Sequence, residues 1–172
     1  MMKYRSDQDK CYGAAGMAIA LNVLDAEEAY CGICVDAEGL DCVQLQPALL
    51  SDGAIATDAR EAWKRSVHHF HIAMGLLIAD RVSRKMILDH GAVDRKMRNH
   101  LLSAMEQEGK TLCSLERDEV NEVFEHYFQH MVKVFSNAAV RSAVCQLAQL
   151  LEERRTLTSS EVEELLTELQ II

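Results

Sequence analysis

The chain has 172 residues and a formal net charge of −9, an acidic balance that excludes a general nucleic-acid binder, which needs a basic surface to displace phosphate counterions. Its residues are 49% hydrophobic with one proline, a composition that predicts a single, mainly α domain over residues 1–172 with few irregular loops. No run approaches the ~18 consecutive apolar residues of a membrane-spanning helix, and the opening MMKYRSDQDK has no apolar core of a signal peptide.

Residues Asp9 to Glu28 read as a first helix, apolar on almost every side between Cys11 and Leu24 and therefore buried. It contains Gly13-Ala14-Ala15-Gly16-Met17-Ala18, with two glycines that each cost a helix about 1 kcal/mol relative to alanine. Ile33-Cys34-Val35 and Cys42-Val43-Gln44-Leu45 flank the turn-like Asp36-Ala37-Glu38-Gly39 and predict a β-hairpin closed by Pro47. Ser51-Asp52-Gly53 marks a loop.

A long helix is predicted from Thr57 to His90, with Trp63, Val67, Phe70, Met74, Leu77 and Ile78 on one stripe and Gly91 as its C-terminal cap. The next runs from Ala92 to Glu108, ended by Gly109, with Met97, Leu101, Ala104 and Met105 inward. A further helix covers Arg117 to Phe135, with Val120, Phe124, Tyr127, Met131 and Val134 as its apolar face. Another spans Ala138 to Arg155, and Thr158-Ser159-Ser160-Glu161 is a capping box opening a last helix to Leu169. The expected architecture is six to seven helices with one small hairpin. The cation-rich stretches Arg81–Lys85 and Arg95–Arg98 fall on helices and read as solvated faces.

Three clusters bear on chemistry. Cys31-Gly-Ile-Cys34, with Cys42 nearby, could hold zinc or exchange thiols. A structural zinc site wants four ligands, and the βαβ context of a redox C-x-x-C is missing, so buried hairpin cysteines are the favoured reading. His126 and His130 lie one turn apart with Glu122 a turn before them, a spacing able to bind a metal, but they share a face with Glu119 and Lys133 and read as solvated. In His68-His69-Phe70-His71 only His71 borders the apolar stripe, as a boundary histidine. No G-x-S-x-G nucleophile elbow or phosphate-binding G-x-x-x-x-G-K-[ST] occurs.

Taken in order, three segments resemble the protease domain of FtsH-type, ATP-dependent zinc metalloproteases. The family places H-E-A-G-H-A on an early helix, and Gly13-Ala14-Ala15-Gly16-Met17-Ala18 falls in that frame, keeping the middle Ala-Gly and the final Ala. AMGLLIADR and DHGAVDRKMRNHLLSAM are similar to the family's L-A-G-x-A-A-E helix and its G-A-x-x-D-L-x-x-A helix start. The aspartate of that second motif is the family's third zinc ligand. Asp94 is its nearest match, at a spacing one residue shorter. LAQLLEERRTLTSSEVEELL resembles the closing L-L-E-x-x-T-L and its short acidic helix.

The resemblance implies the peptidase fold without its chemistry. In H-E-x-x-H the two histidines hold zinc and the glutamate is general base. Here Gly13 and Met17 stand at the histidine positions and Ala14 at the glutamate position, and a thioether is a poor zinc ligand. The expectation is a catalytically inactive, cytoplasmic protein with reduced thiols and no cofactor. It would act as a binding, regulatory or assembly module, with a protein partner or by self-association as in the family's rings, and without nucleic acid or membrane. The alternative is a metal-dependent hydrolase or peptidase, with zinc at a relocated site built from Glu122, His126 and His130.

Overall fold

The computed structural model describes residues 3–24, 26, 30–45 and 58–168. Helix α1 (Asp7–Val23) is followed by strand β1 (Tyr30–Cys34), a 3₁₀ turn at Gly39–Cys42 and strand β2 (Val43–Leu45). Helix α2 (Ala59–Ser83) ends in a π turn, Arg84–Leu88. Helices α3 (Arg95–Cys113), α4 (Arg117–Ser136) and α5 (Ala138–Arg154) follow, then strand β3 (Thr156–Thr158) and helix α6 (Ser159–Glu168). No described helix is long and apolar enough to cross a membrane. The predicted ends at Glu28 and Leu169, the start at Thr57, Pro47 and the Ser51–Gly53 loop lie outside the described residues.

Helix α1 is the axis of the core, packed between α2 and α5. Every residue from Gly13 to Leu21 is buried, as the all-round apolar sequence demands. The start is set by Ser6, whose Oγ accepts from the Asp9 backbone N–H at 3.1 Å and satisfies one of the helix's orphan donors. Asp58, Asp94 and Asn137 cap α2, α3 and α5 in the same way.

Helix α4 buries Val120, Phe124, Phe128, Met131 and Phe135 against α2 and α3. The inward stripe is therefore rotated from the predicted one, with Phe128 and Phe135 replacing Tyr127 and Val134, which are only half-buried. Both stripes have helical spacing, so periodicity alone does not choose between them. On α2, Trp63 is 48% exposed, its indole Nε1 donating to the Cys113 carbonyl at 2.8 Å, because α2 outruns the core at this end.

Two helix ends differ from the glycine-based expectation. Helix α3 continues through Gly109 to Cys113, since Gly109 is buried where a side chain would strike Val120 Cγ2 at 2.7 Å and Phe70 Cζ at 2.9 Å. The helix stops at Ser114, in the left-handed region (φ 56°). Leu101, Met105, Gly109 and Cys113 form its buried row, and Ala104, predicted inward, is exposed. At the other end of the long helix, His90 (φ 49°) makes the left-handed turn predicted for Gly91, whose N–H donates to the Lys85 carbonyl at 2.9 Å.

The sheet has the order β2-β1-β3 and is antiparallel throughout. The predicted hairpin forms, with Ile33 opposite Val43, but Val35 and Cys42, predicted as strand, lie outside it, Cys42 closing the 3₁₀ turn. The third strand has no three-residue signature in sequence; it forms because Leu157 is buried opposite Ile33. The capping box then opens α6: Thr158 N–H donates to Glu161 Oε2 at 2.8 Å, and Glu161 N–H to Thr158 Oγ1 at 3.3 Å.

Candidate functional site

The two glycines of α1 face α2. An added Cβ at Gly13 would lie 2.1 Å from Asp80 Oδ1, and one at Gly16 would lie 2.2 Å from Ser83 Oγ and 3.0 Å from the Ala79 carbonyl. The i, i+3 pair Gly13/Gly16 thus meets the i, i+3 pair Asp80/Ser83, one helical row against another. Ser83 Oγ donates across the interface to the Tyr12 carbonyl at 3.2 Å.

Asp80 belongs to a buried ionic network. It is 0% exposed, as Asp9 is 1% and Arg84 5%. Arg84 joins the two carboxylates, with Nη2 on Asp80 Oδ2 at 2.7 Å and Nη1 on Asp9 Oδ2 at 2.8 Å. Arg5 adds a second guanidinium on Asp9 Oδ1 at 2.9 Å and continues to Asp89 at 2.8 Å. The Tyr4 ring lies under Arg84, 4.8 Å from the guanidinium carbon, a cation–π contact.

The environments of the two acids push them in opposite directions. At Asp80 burial dominates and raises the carboxyl above its ordinary value, although Arg84 pulls the other way. At Asp9 burial also raises, but hydrogen bonds from Arg5 and the charge of Arg84 outweigh it, so the carboxyl sits below its ordinary range. Burial, then the Asp80 charge, raises the Tyr4 phenol well above its usual range. Asp80 Oδ1 accepts no hydrogen bond among the described residues and is aimed at Gly13, where there is no room even for a methyl group. The network braces the N-terminal segment to α2, Arg84 reaching both Asp9 and the Lys3 carbonyl.

Above it opens a cleft of about 830 Å³. Its walls are the N-terminal segment with Tyr4 and Arg5, the Glu38–Asp41 turn, Leu77 and Arg81 of α2, and His100, Leu101, Met105 and Glu108 of α3. Arg81, Lys10 and Arg5 supply cations, and Glu38, Asp41 and Glu108 supply anions around an apolar strip.

The positions singled out from sequence are dispersed. Gly13, Ala14 and Met17 are buried in α1. Asp94 is exposed and spends its carboxylate on capping α3, Oδ1 accepting from Met97 N–H at 2.7 Å. Among the described residues no three His, Cys, Asp or Glu side chains converge to hold a metal. Of the Glu122, His126 and His130 alternative, the two imidazoles stack on α4 with ring centroids 6.3 Å apart. His71 is half-buried, edge-on to Tyr127, and burial lowers its pKa. The cysteines divide similarly. Cys31 is exposed, its Sγ on the Gln44 carbonyl at 3.0 Å, and only Cys42 of the three is buried. The buried-hairpin reading therefore holds for Cys42 and fails for Cys31.

Sequence reasoning missed Asp9, Asp80, Arg84, Arg5 and Tyr4. The available signal was Asp80 and Arg84, an i, i+4 acid–base pair interrupting the apolar run from Ile72 to Ile87. Comparison with family models, curated proteins and solved structures finds no match to this chain.

Proposed function

We propose that the chain is a catalytically inactive, FtsH-type peptidase-like domain that works as a binding, regulatory or assembly module for a protein partner or for further copies of itself. One observation carries the reading. The α1 row that aligns with the family's H-E-x-x-H is consumed by packing, with Gly13 closed off by Asp80 at a distance that admits no side chain. Met17 is fully buried, and a thioether there contributes to the core as any apolar group does. The nearest match to the third ligand, Asp94, caps its own helix at the surface. The cleft between the N-terminal segment and α3 is the concave surface left for a partner, and its mixed charges favour a polypeptide over a uniformly charged ligand.

The test is an assay of the purified chain on an unfolded protein substrate, with added zinc and with a chelator. No degradation is expected in either condition. Degradation abolished by the chelator would overturn the proposal.

A further inference from the structure

The segment Lys3-Tyr4-Arg5 lies outside helix and strand, yet it is gripped at three successive residues in the way a bound peptide is. Arg84 Nη1 donates to the Lys3 carbonyl at 3.3 Å, and the Arg84 guanidinium carbon sits 4.8 Å from the centre of the Tyr4 ring, a cation–π contact. Asp9 holds Arg5 twice. The Arg5 backbone N–H donates to Oδ2 at 2.8 Å, and Arg5 Nη2 donates to Oδ1 at 2.9 Å. Asp89, just past the π turn, accepts from the same Nη2 on its Oδ1 at 2.8 Å. Backbone and side chain of the segment are thus both engaged, by groups of α1, the π turn and the residue after it.

We propose that Lys3-Tyr4-Arg5 is an autoinhibitory strap, seated in a site that takes a partner polypeptide presenting an aromatic residue followed directly by arginine. The seat for the aromatic ring is built into the helix pair. An added Cβ at Gly13 would lie 3.2 Å from Tyr4 Cε1, so the missing side chain is what lets the ring lie against α1, with Arg84 over its face. The strap can leave while α1 and α2 stay packed. Arg84 bridges Asp9 and Asp80 without it, and Ser6 continues to cap α1. The outer clasp is weak: the Arg5 side chain is 62% exposed and that of Asp89 30%, and exposed ion pairs contribute little.

Tyr4 and Arg5 also line the cleft, so displacing them removes one of its walls and leads the incoming segment into it. The vacated carboxylates of Asp9 and Asp89 select arginine over lysine, because a planar guanidinium serves two acceptors at once where an ammonium is a point charge. The proposal rests on the binding-module reading and supplies its ligand class. That reading has its own test in the degradation assay, whose outcome does not depend on strap release.

The experiment titrates the full chain with the probe peptide acetyl-Lys-Tyr-Arg-Ser-amide, in wild type and in the Tyr4→Ala/Arg5→Ala double variant, by calorimetry. The variant, its seat vacated, should bind the probe at least about tenfold more tightly than wild type, a difference calorimetry resolves readily. Probes with alanine for tyrosine or glutamine for arginine should lose most of that binding. Equal affinity in the two proteins, no binding to the variant at millimolar probe, or equal binding of the altered probes would overturn the proposal. Hydrogen exchange on wild type decides the matter where the double variant fails to fold. Millimolar probe should speed exchange at the amides of Tyr4 and Arg5 and leave those of α1 from Gly13 to Leu21 unchanged. Strap amides that do not respond, or that open only together with α1, would refute it.

Discussion

Gly16 of α1 stands against Ser83 of α2 so closely that a single added carbon would sit 2.2 Å from the Ser83 hydroxyl and 2.6 Å from its Cβ. That contact explains why a helix tolerates a residue that weakens it. The backbones approach until a serine side chain fills the space a Cβ would take, and the serine hydroxyl spans to the Tyr12 carbonyl.

Replacing Gly16 by alanine should destabilise the fold even though alanine is the better helix former. Overpacking a filled interface costs roughly 1–3 kcal/mol, against a gain of about 1 kcal/mol in propensity, and the Ala79 carbonyl at 3.0 Å cannot rotate away. Urea denaturation of Gly16→Ala should show a lower midpoint with an unchanged slope. In a Ser83→Gly background the same substitution should cost less, since the colliding atoms are gone.

Arg84 is the most sensitive charged position. Arg84→Met leaves Asp9 and Asp80, both essentially unexposed, without the guanidinium between them, and removing one partner of a buried ion cluster costs about 3–5 kcal/mol. Arg98→Met, which removes the half-exposed pair with Glu125, should cost about 0–1 kcal/mol. Equal losses in the two variants, measured by chemical denaturation, would contradict the difference in burial.

The acid limb of stability should report on the α6 cap. Backbone and side-chain hydrogen bonds from Thr158, with Arg154 between them in strength, hold Glu161 at about 2, below its ordinary 4.5. A carboxylate depressed in the folded state favours folding above its unfolded value. Its contribution is thus present above about pH 4.5 and is lost as pH falls through about 2. Thermal unfolding of Glu161→Gln should be less pH-dependent than wild type across this window, and parallel curves would refute the assignment.

His126 and His130 should be dispensable. Their rings stack on each other along α4, and substitutions away from special features fall within about 0.5 kcal/mol. The His126→Ala/His130→Ala double variant should match wild type in stability and in transition-metal content by elemental analysis. A stoichiometric metal lost in the variant would support the relocated metal site instead.

The division between what could be read and what could not follows from the range of each interaction. Helix α1's burial was legible because its apolar residues leave no polar face, and the α6 capping box because it is complete within Thr158–Glu161. The hairpin was legible from its turn, whereas β3 was not, since three residues carry no periodic signal and Leu157 is held by a strand more than 120 positions earlier. Glycine misled at 91 and 109 because its local meaning, a helix end, gave way to packing at Gly109 and to a left-handed His90 beside Gly91.

By itself, the sequence determined a helical chain with an unusually small-faced first helix and no ligand groups at positions 13, 14 and 17. Tertiary structure alone decided what that face meets. Asp9 and Arg84 are 75 positions apart, and neither pattern nor composition tells an isolated acid that it will be buried against a distant guanidinium. Burial charges a desolvation cost that only a correctly placed counter-charge offsets, so the partnership exists only once α1 and α2 have closed on each other.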